Sequence, residues 1–340
     1  MFGNIYGLDL GTYEIKVYDK KKDNCWKEKN AVAITNKKTI FSVGDDAYSM
    51  YEKAPLDVQV VFPMKEGVIS HFYNMQYLLE NLIKQERHFT PGSKYLIAVP
   101  TDVTEVEKRA FYDLVVHSKA RAKDVRIVER GIADAVGLGL DVKRSPGIFV
   151  VNLGAETTEV SVLSYGGVVL NRLIKFGGCT LDNAIMNTLR FNHEFLIGQL
   201  TAEMLRKTYG ILSEQTEETV MAAGRNLLTR IPEQKSVDAN VVRDAMAEPF
   251  IGCLKQIHFM LERIPPEVQR NIYKTGIYLV GGLSNLVGID KFIENELHIK
   301  VHTISEPEFC AVNGLKKIFG SKELMKYTYS MLDENYRWMR

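Results

Sequence analysis

The chain has 340 residues, 46% hydrophobic and 25% charged. That length exceeds one ordinary core and predicts two domains or an α/β body split by a cleft, and that composition excludes long disorder. With 43 basic against 42 acidic residues the net charge is +1, which makes no electrostatic case for nucleic acid or for wholesale attraction to anionic lipid.

The opening residues predict a strand over Ile5–Leu10, a tight Gly11-Thr12 turn and a second, alternating strand over Ile15–Tyr18. Short strands broken at Asn36 and Gly44 follow between Val32 and Val43. A helix is expected over Met75–Gln85, then a buried strand over Tyr95–Val99 before Pro100, a helix over Glu105–Ser118 and a strand over Val125–Val128. The second half repeats the opening: strands Gly147–Val151 and Glu159–Leu163 flank a turn at Gly154, and Gly166-Gly167 leads into Val168–Leu173. Two copies of strand, Gly-bearing turn and strand, about 140 residues apart, imply an internally duplicated fold. Residues 180–230 read as helical, interrupted near Gly210 and followed by a Pro232-Glu233 loop. A long helix over Val237–Arg263 is expected to stop at Pro265-Pro266. A strand over Gly276–Val280, a Gly281-Gly282 turn, a helix over Gly288–Leu297 and an amphipathic helical region from Asn313 onward complete the chain. Cys25, Cys179, Cys253 and Cys310 form no CxxC pair, so a reducing cytosol is expected rather than a metal site or disulfide framework. No apolar run of about eighteen residues is present to span a membrane, and the amino terminus lacks the basic segment of a secretory signal. A soluble, intracellular protein is the expectation.

Three glycine turns follow apolar strands: Asp9 to Thr12, Asn152 to Thr158 and Leu279 to Ser284. Glycine lets backbone approach a phosphate, and successive N–H groups at such turns can cradle anionic oxygens. One such turn is more often a plain hairpin; three in this order carry more weight.

At this point the chain resembles a known family. LDLGT (8–12), FPMKEGVI (62–69), AVP (98–100) with TEVEKR (104–109), TTEV (157–160), LIG (196–198), TAE (201–203) and GIYLVGGL (276–283) run collinearly with motifs of the MreB and Mbl proteins. These are bacterial actin-like cell shape-determining proteins of the actin, Hsp70 and sugar-kinase superfamily. The resemblance implies an α/β, actin-like (ribonuclease H-like), duplicated two-domain fold with ATP and Mg2+ in a cleft. It implies filaments at the inner face of the cytoplasmic membrane that organise cell-wall synthesis and cell morphogenesis through membrane partner proteins. One domain would comprise residues 1–143 with 313–340, its small subdomain about 31–74. The other would comprise 144–312, its small subdomain about 182–240.

The departures from the family fall on its catalytic positions. Aligning VERGIADAVGLGL (128–140) places Arg130 where the family's water-positioning glutamate stands, with Gly131 on the following proline. Arginine cannot accept a proton from water; a one-residue slip would bring Glu129 into that role. In the second phosphate loop the family's Asp-Ile-Gly-Gly-Gly becomes Asn152, Leu153, Gly154, Ala155 and Glu156, so an acid becomes an amide and a carboxylate enters the cradle. After Gly11 and Thr12, Tyr13 and Glu14 replace a small residue and an asparagine. In the adenosine loop Gly281 and Gly282 remain, Leu283 takes the third glycine's place, and Ser284 follows. Asp9 keeps the carboxylate that faces the metal through water. Glu203 and Arg206 occupy the adenosine-holding positions, although a solvated helix face explains their spacing equally. Arg130 pairing with Glu156 would fill the γ-phosphate position.

The expected function is that of an MreB-like filament protein with impaired ATP hydrolysis, assembling with itself or with an active paralogue, and touching the membrane peripherally. A non-polymerising, pilus-assembly type adaptor that binds a membrane partner is the alternative. A sugar kinase would need a catalytic aspartate, for which Asp134 is the candidate, and an Hsp70-like chaperone would need more chain. Met1, Phe2 and the loop Arg87 to Pro91 offer little apolar surface for a membrane, and the aromatic tail Tyr327 to Trp338 is expected to pack as a helix on the first domain.

Overall fold

The computed structural model describes residues 3–36, 39–85, 92–119, 121–211 and 218–333. The chain divides into two compact units: Met1–Ser145 with Ser161–Leu173 and Glu308–Arg340, and Pro146–Val160 with Ile174–Pro307.

The first unit opens with an antiparallel meander, β1 (Ile5–Leu10), β2 (Glu14–Asp19) and β3 (Asn24–Lys29). A smaller three-stranded sheet follows from β4 (Val32–Thr35), β5 (Ile40–Val43) and β6 (Val58–Val61), with the short helix α1 (Gly44–Ser49) between the last two. The hairpin β7 (Met64–Lys65) and β8 (Val68–Ile69) leads into α2 (Phe72–Gln85), β9 (Lys94–Val99), α3 (Glu105–Val116), β10 (Asp124–Glu129) and α4 (Arg130–Gly137). The main sheet runs β10-β9-β1-β2-β3, with β9 parallel to both β1 and β10. Its apolar residues, Leu8, Leu10, Ile15 and Val17, are fully buried with Leu78, Leu82, Phe111 and Leu114 of the covering helices. The start of α3 is set by a capping box, in which Thr104 and Glu107 exchange side-chain and backbone hydrogen bonds, worth about 1 kcal/mol.

The chain continues with β11 (Ile148–Leu153), β12 (Thr158–Ser164), β13 (Gly167–Ile174), α5 (Gly178–Asn192), β14 (Phe195–Leu196), α6 (Gln199–Tyr209), β15 (Thr219–Asn226) and β16 (Pro232–Asp238). Then come α7 (Ala239–Arg263), α8 (Pro266–Thr275), β17 (Ile277–Val280), α9 (Ile289–Leu297) and β18 (Val301–His302). The second five-stranded sheet has the order β13-β12-β11-β17-β18, with β11 parallel to β17 and β17 parallel to β18.

Helix α10 (Cys310–Gly320) returns to the first unit against α4. The two helices approach at glycines. A Cβ on Gly314 would lie 1.8 Å from the Ala133 carbonyl oxygen, and one on Gly137 would lie 2.2 Å from that of Cys310. Lys317 Nζ donates to the carbonyls of Val136 and Gly137, closing the carboxy-terminal end of α4, where a cation is favoured. No helix among the described residues is long and apolar enough to cross a membrane.

Three expectations are corrected. The helical stretch expected to reach residue 230 ends at Tyr209, and β15 and β16 form a hairpin paired from Thr219↔Asp238 to Arg225↔Pro232. Met221, Ala222 and Ala223 favour helix locally, but Gly224 packs flush against Phe195 and the Leu196 carbonyl, so tertiary contact decides. Pro232 opens a strand instead of a loop, a position where its missing N–H is tolerated. The stop expected at Pro265-Pro266 is borne out, α7 ending at Arg263, and Pro266 then occupies the first turn of a further helix, α8. The amphipathic helix expected from Asn313 onward stops at Gly320. A 3-10 turn follows over Leu324–Tyr327, after which Tyr329 bridges antiparallel to Ile127 on the edge strand β10. Met1, Phe2, the loop Arg87 to Pro91 and the tail from residue 334 lie outside the described residues.

Candidate functional site

The first two glycine turns are built the same way. Between β1 and β2 the Gly11 N–H donates to the Glu14 carbonyl at 3.1 Å; between β11 and β12 the Gly154 N–H donates to that of Thr157 at 2.9 Å. A Cβ would lie 2.6 Å from that Glu14 oxygen in one turn and 2.8 Å from the Thr157 oxygen in the other. Both glycines are therefore required by the turn itself, whatever lies beyond it.

The first turn is clamped from two sides. Buried Asn30 donates from its amide to the Gly11 carbonyl and from its backbone N–H to the Tyr13 carbonyl, both at 2.9 Å. The Gly67 N–H, in the turn of the β7–β8 hairpin, donates to the Thr12 hydroxyl at 3.3 Å. This places the FPMKEGVI segment beside the turn. Tyr13 shares a hydroxyl–hydroxyl hydrogen bond of 2.8 Å with Tyr48, and Lys29 Nζ sits 3.9 Å from the Tyr13 ring centre.

Glu14 faces lysines. Across the β2–β3 pairing it stands opposite Lys29, with Lys16 opposite Lys27. Its oxygens lie 2.7 Å from Lys29, 3.5 Å from Lys27 and 3.9 Å from Lys16. Burial alone would raise the Glu14 pKa, but Lys16, Lys29 and Lys27 outweigh it and hold the carboxyl below its ordinary value. Lys16 Nζ also lies 3.7 Å from where a Cβ on Gly11 would sit, so a cation stands at the turn.

Arg130 is the first residue of α4, with Glu129 as its N-cap. Its guanidinium reaches back into the first turn, Nε lying 3.4 Å from Asp9 Oδ1 and one amino group donating to the Leu10 carbonyl at 3.3 Å. Both side chains are buried. Glu129 turns elsewhere: its Oε1 accepts from Lys108 Nζ at 3.1 Å and from the Tyr329 hydroxyl at 2.9 Å. Gly131 follows because nothing larger fits, since a Cβ there would lie 2.2 Å from Ser161 Oγ.

In the second unit, Asn152 at the end of β11 and Gly281 come together. Gly281 has φ +88°, and a Cβ on it would lie 2.5 Å from both Asn152 Oδ1 and the Leu153 carbonyl oxygen. Leu283 and Ser284 are buried, the serine hydroxyl donating to the Val280 carbonyl. The carbonyls of Gly154 and Ala155 accept from the N–H groups of Gly178 and Cys179, the first residues of α5. The turn itself thus satisfies donors that a helix amino terminus otherwise leaves open. Arg206 makes two hydrogen bonds to buried Asp182, from Nε to Oδ1 at 2.6 Å and from an amino group to Oδ2 at 3.3 Å, and Glu203 pairs with Lys207. Burial raises the Asp182 pKa although Arg206 works against it. Burial, with Asp182 and Glu156 nearby, pushes the Cys179 thiol up to about 12.

The structure thus brings Asp9, Gly11, Thr12, Tyr13, Glu14 and Arg130 together in the first unit. In the second it groups Asn152, Gly154, Ala155, Glu156 and Gly281 to Ser284, with Glu203 and Arg206 on α6. Sequence reasoning missed Asn30, the three lysines, Ser161 and Asp182. The alternation of charges along Glu14, Lys16, Lys27 and Lys29 was the available signal for the lysines, since those positions share one face of a two-stranded meander.

Against known proteins, residues 3–327 match the family described as MreB/Mbl protein. The chain is 33% identical over 323 residues to the cell shape-determining protein MreB of Escherichia coli (strain K12), covering 92% of each. It is 29% identical over 318 residues to the cell shape-determining protein Mbl of Bacillus subtilis (strain 168), covering 92% of this chain and 95% of that one. The crystal structure of MreB5 of Spiroplasma citri bound to AMPPNP superposes with a TM-score of 0.90 at 26% identity, over 96% of this chain and 98% of that one. The MamK double helical filament, at 19% identity and a TM-score of 0.77 over 94% and 99% of the chains, shares the fold. The expected actin-like α/β fold is borne out.

Proposed function

Because the chain belongs to the MreB/Mbl family, we propose that it is an MreB-like cytoskeletal protein that assembles into actin-like filaments, binds nucleotide, and hydrolyses ATP weakly or not at all. Filament formation is supported by the likeness to a double helical filament, and nucleotide binding by the likeness to MreB5 bound to AMPPNP and to ADP. In this reading residues 1–143 with 313–340 form one actin-like domain and 144–312 the other, with small subdomains about 31–74 and 182–240. The turns at Gly11-Thr12 and Gly154-Ala155 hold phosphate and Gly281 to Ser284 the adenosine side. The filaments lie at the inner face of the cytoplasmic membrane with an active paralogue or membrane proteins of wall elongation as partners.

The observation that carries the impaired hydrolysis is the Arg130 guanidinium on Asp9 in the first turn. A base that activates water must accept a proton, and a guanidinium has no acceptor. Glu129, the neighbouring carboxylate, is held by Lys108 and Tyr329. Backbone turns of this kind fit a nucleotide's phosphates. The donor set does not fit a divalent metal ion: Asp9 is already neutralised by Arg130, and Asn152 carries no charge. Magnesium is held through one or two carboxylates together with phosphates, and Asp9, the carboxylate that could serve it, already faces Arg130.

The test is pelleting and negative-stain electron microscopy of the full chain with ATP, with phosphate release followed in the same samples. Filaments with phosphate release at, or only slightly above, that of protein-free buffer are expected. Release that tracks assembly would overturn the assignment of impaired hydrolysis, and protein that stays in the supernatant at every concentration would overturn the filament assignment.

A further inference from the structure

We propose that this chain binds nucleoside di- and triphosphates without a divalent cation, Arg130 supplying beside Asp9 the positive charge that a metal would otherwise bring. The inference rests on the nucleotide-binding reading above and concerns how the phosphate charge is met.

Two features of the first unit lead to it. The first is the Asp9–Arg130 pair, both members buried, with the guanidinium also donating to the Leu10 carbonyl. A carboxylate already compensated at 3.4 Å has little to offer a divalent ion, which would bring its own two charges next to a fixed guanidinium. The second is the excess of cations around the turn. Lys16, Lys27 and Lys29 surround one carboxylate, Glu14, with Glu308 as a further partner of Lys27. Lys16 Nζ stands close to Gly11. Lys16, Lys27 and Lys29 outnumber the two carboxylates they pair with, Glu14 and Glu308, so positive charge stands beside the turn to meet an anion. A guanidinium with several N–H donors is also suited to phosphate oxygens.

The same geometry explains how Arg130 is held in place. Helix α4 is pressed against α10 at Gly137 and Gly314 and capped by Lys317. Its first residue therefore has a fixed backbone position from which to reach β1.

The experiment is calorimetric titration of ADP into the full chain, once with excess magnesium and once with EDTA. Wild-type Kd values within about threefold of each other are expected, because a metal that is not part of the site contributes little of the roughly 1.4 kcal/mol that each tenfold in affinity represents. Arg130→Gln is expected to weaken binding in EDTA by about tenfold or more and to leave binding that magnesium improves, since Asp9 is freed. Arg130→Lys, which keeps the charge, should remain insensitive to EDTA and serves if the glutamine variant fails to fold by circular dichroism. Wild-type binding that is lost in EDTA and restored by magnesium would overturn this proposal while leaving the nucleotide reading intact. No heat of binding in either buffer would overturn the nucleotide reading and this proposal with it.

Discussion

Replacing Gly131 by alanine sets two effects of opposite sign against each other. Gly131 is the second residue of α4, where alanine ordinarily gains up to about 1 kcal/mol over glycine. Here the new methyl group would lie 2.2 Å from Ser161 Oγ and 2.4 Å from Ser161 Cβ. The serine cannot swing aside readily: it sits within β12, is 1% exposed, and its hydroxyl accepts from Asn171 Nδ2 at 2.7 Å. Overpacking a fixed interior typically costs about 1–3 kcal/mol, so the clash outweighs the propensity and a net loss of about 1–2 kcal/mol is expected. Urea unfolding of wild type and G131A measures it, with an unchanged slope showing that the native fold is retained. In a Ser161→Gly background the obstacle is gone, and the same alanine should be neutral or stabilising. That reversal of sign is the signature of a steric cause. G131A as stable as wild type with Ser161 intact would refute the reasoning.

Two further outcomes are expected. Glu14 has a depressed pKa in the folded chain, so its charged form contributes stability that is present above the ordinary carboxylate pKa and lost as pH falls through the depressed value. The stability gap between wild type and Glu14→Gln, followed by urea unfolding from pH 7 downward, should close over that acidic window and stay constant above it. Arg206→Met leaves buried Asp182 without its cation and should cost about 3–5 kcal/mol; because the carboxyl pKa, already raised by burial, then rises further, the loss measured at pH 8 should exceed that at pH 5.

Much of this fold was legible because its signals are local. Alternating strands and the glycines between them mark β1–β2 and β11–β12. The strand Thr219–Asn226 reads as helix from sequence because Ala222 and Ala223 favour helix locally, whereas the hairpin is decided by Phe195 and Leu196 lying across Gly224. Pro265-Pro266 does end α7, but the helix that begins at Pro266 carries no separate local sign, because proline occupies the first turn of a helix as readily as it stops one. In the site, the identity of each turn residue was readable but the partner of each was not. Arg130 meets Asp9 across 121 residues of chain, and Gly131 meets Ser161 across 30. Ser161, alone in a strand, carries no sign that it excludes a side chain elsewhere.

The shared construction of the turns at Gly11 and Gly154 bears on how such chains change over time. Each glycine is demanded by the carbonyl of the residue three positions on, at a distance that no other side chain tolerates. Selection to keep the hairpin folded therefore preserves the glycine whether or not a ligand is ever bound. Carboxylates that serve only a bound ligand carry no such obligation and are free to drift once the chemistry lapses. A lineage that abandons hydrolysis should thus keep its glycine signature long after its carboxylates have gone, and the glycines alone make a poor witness to the enzyme.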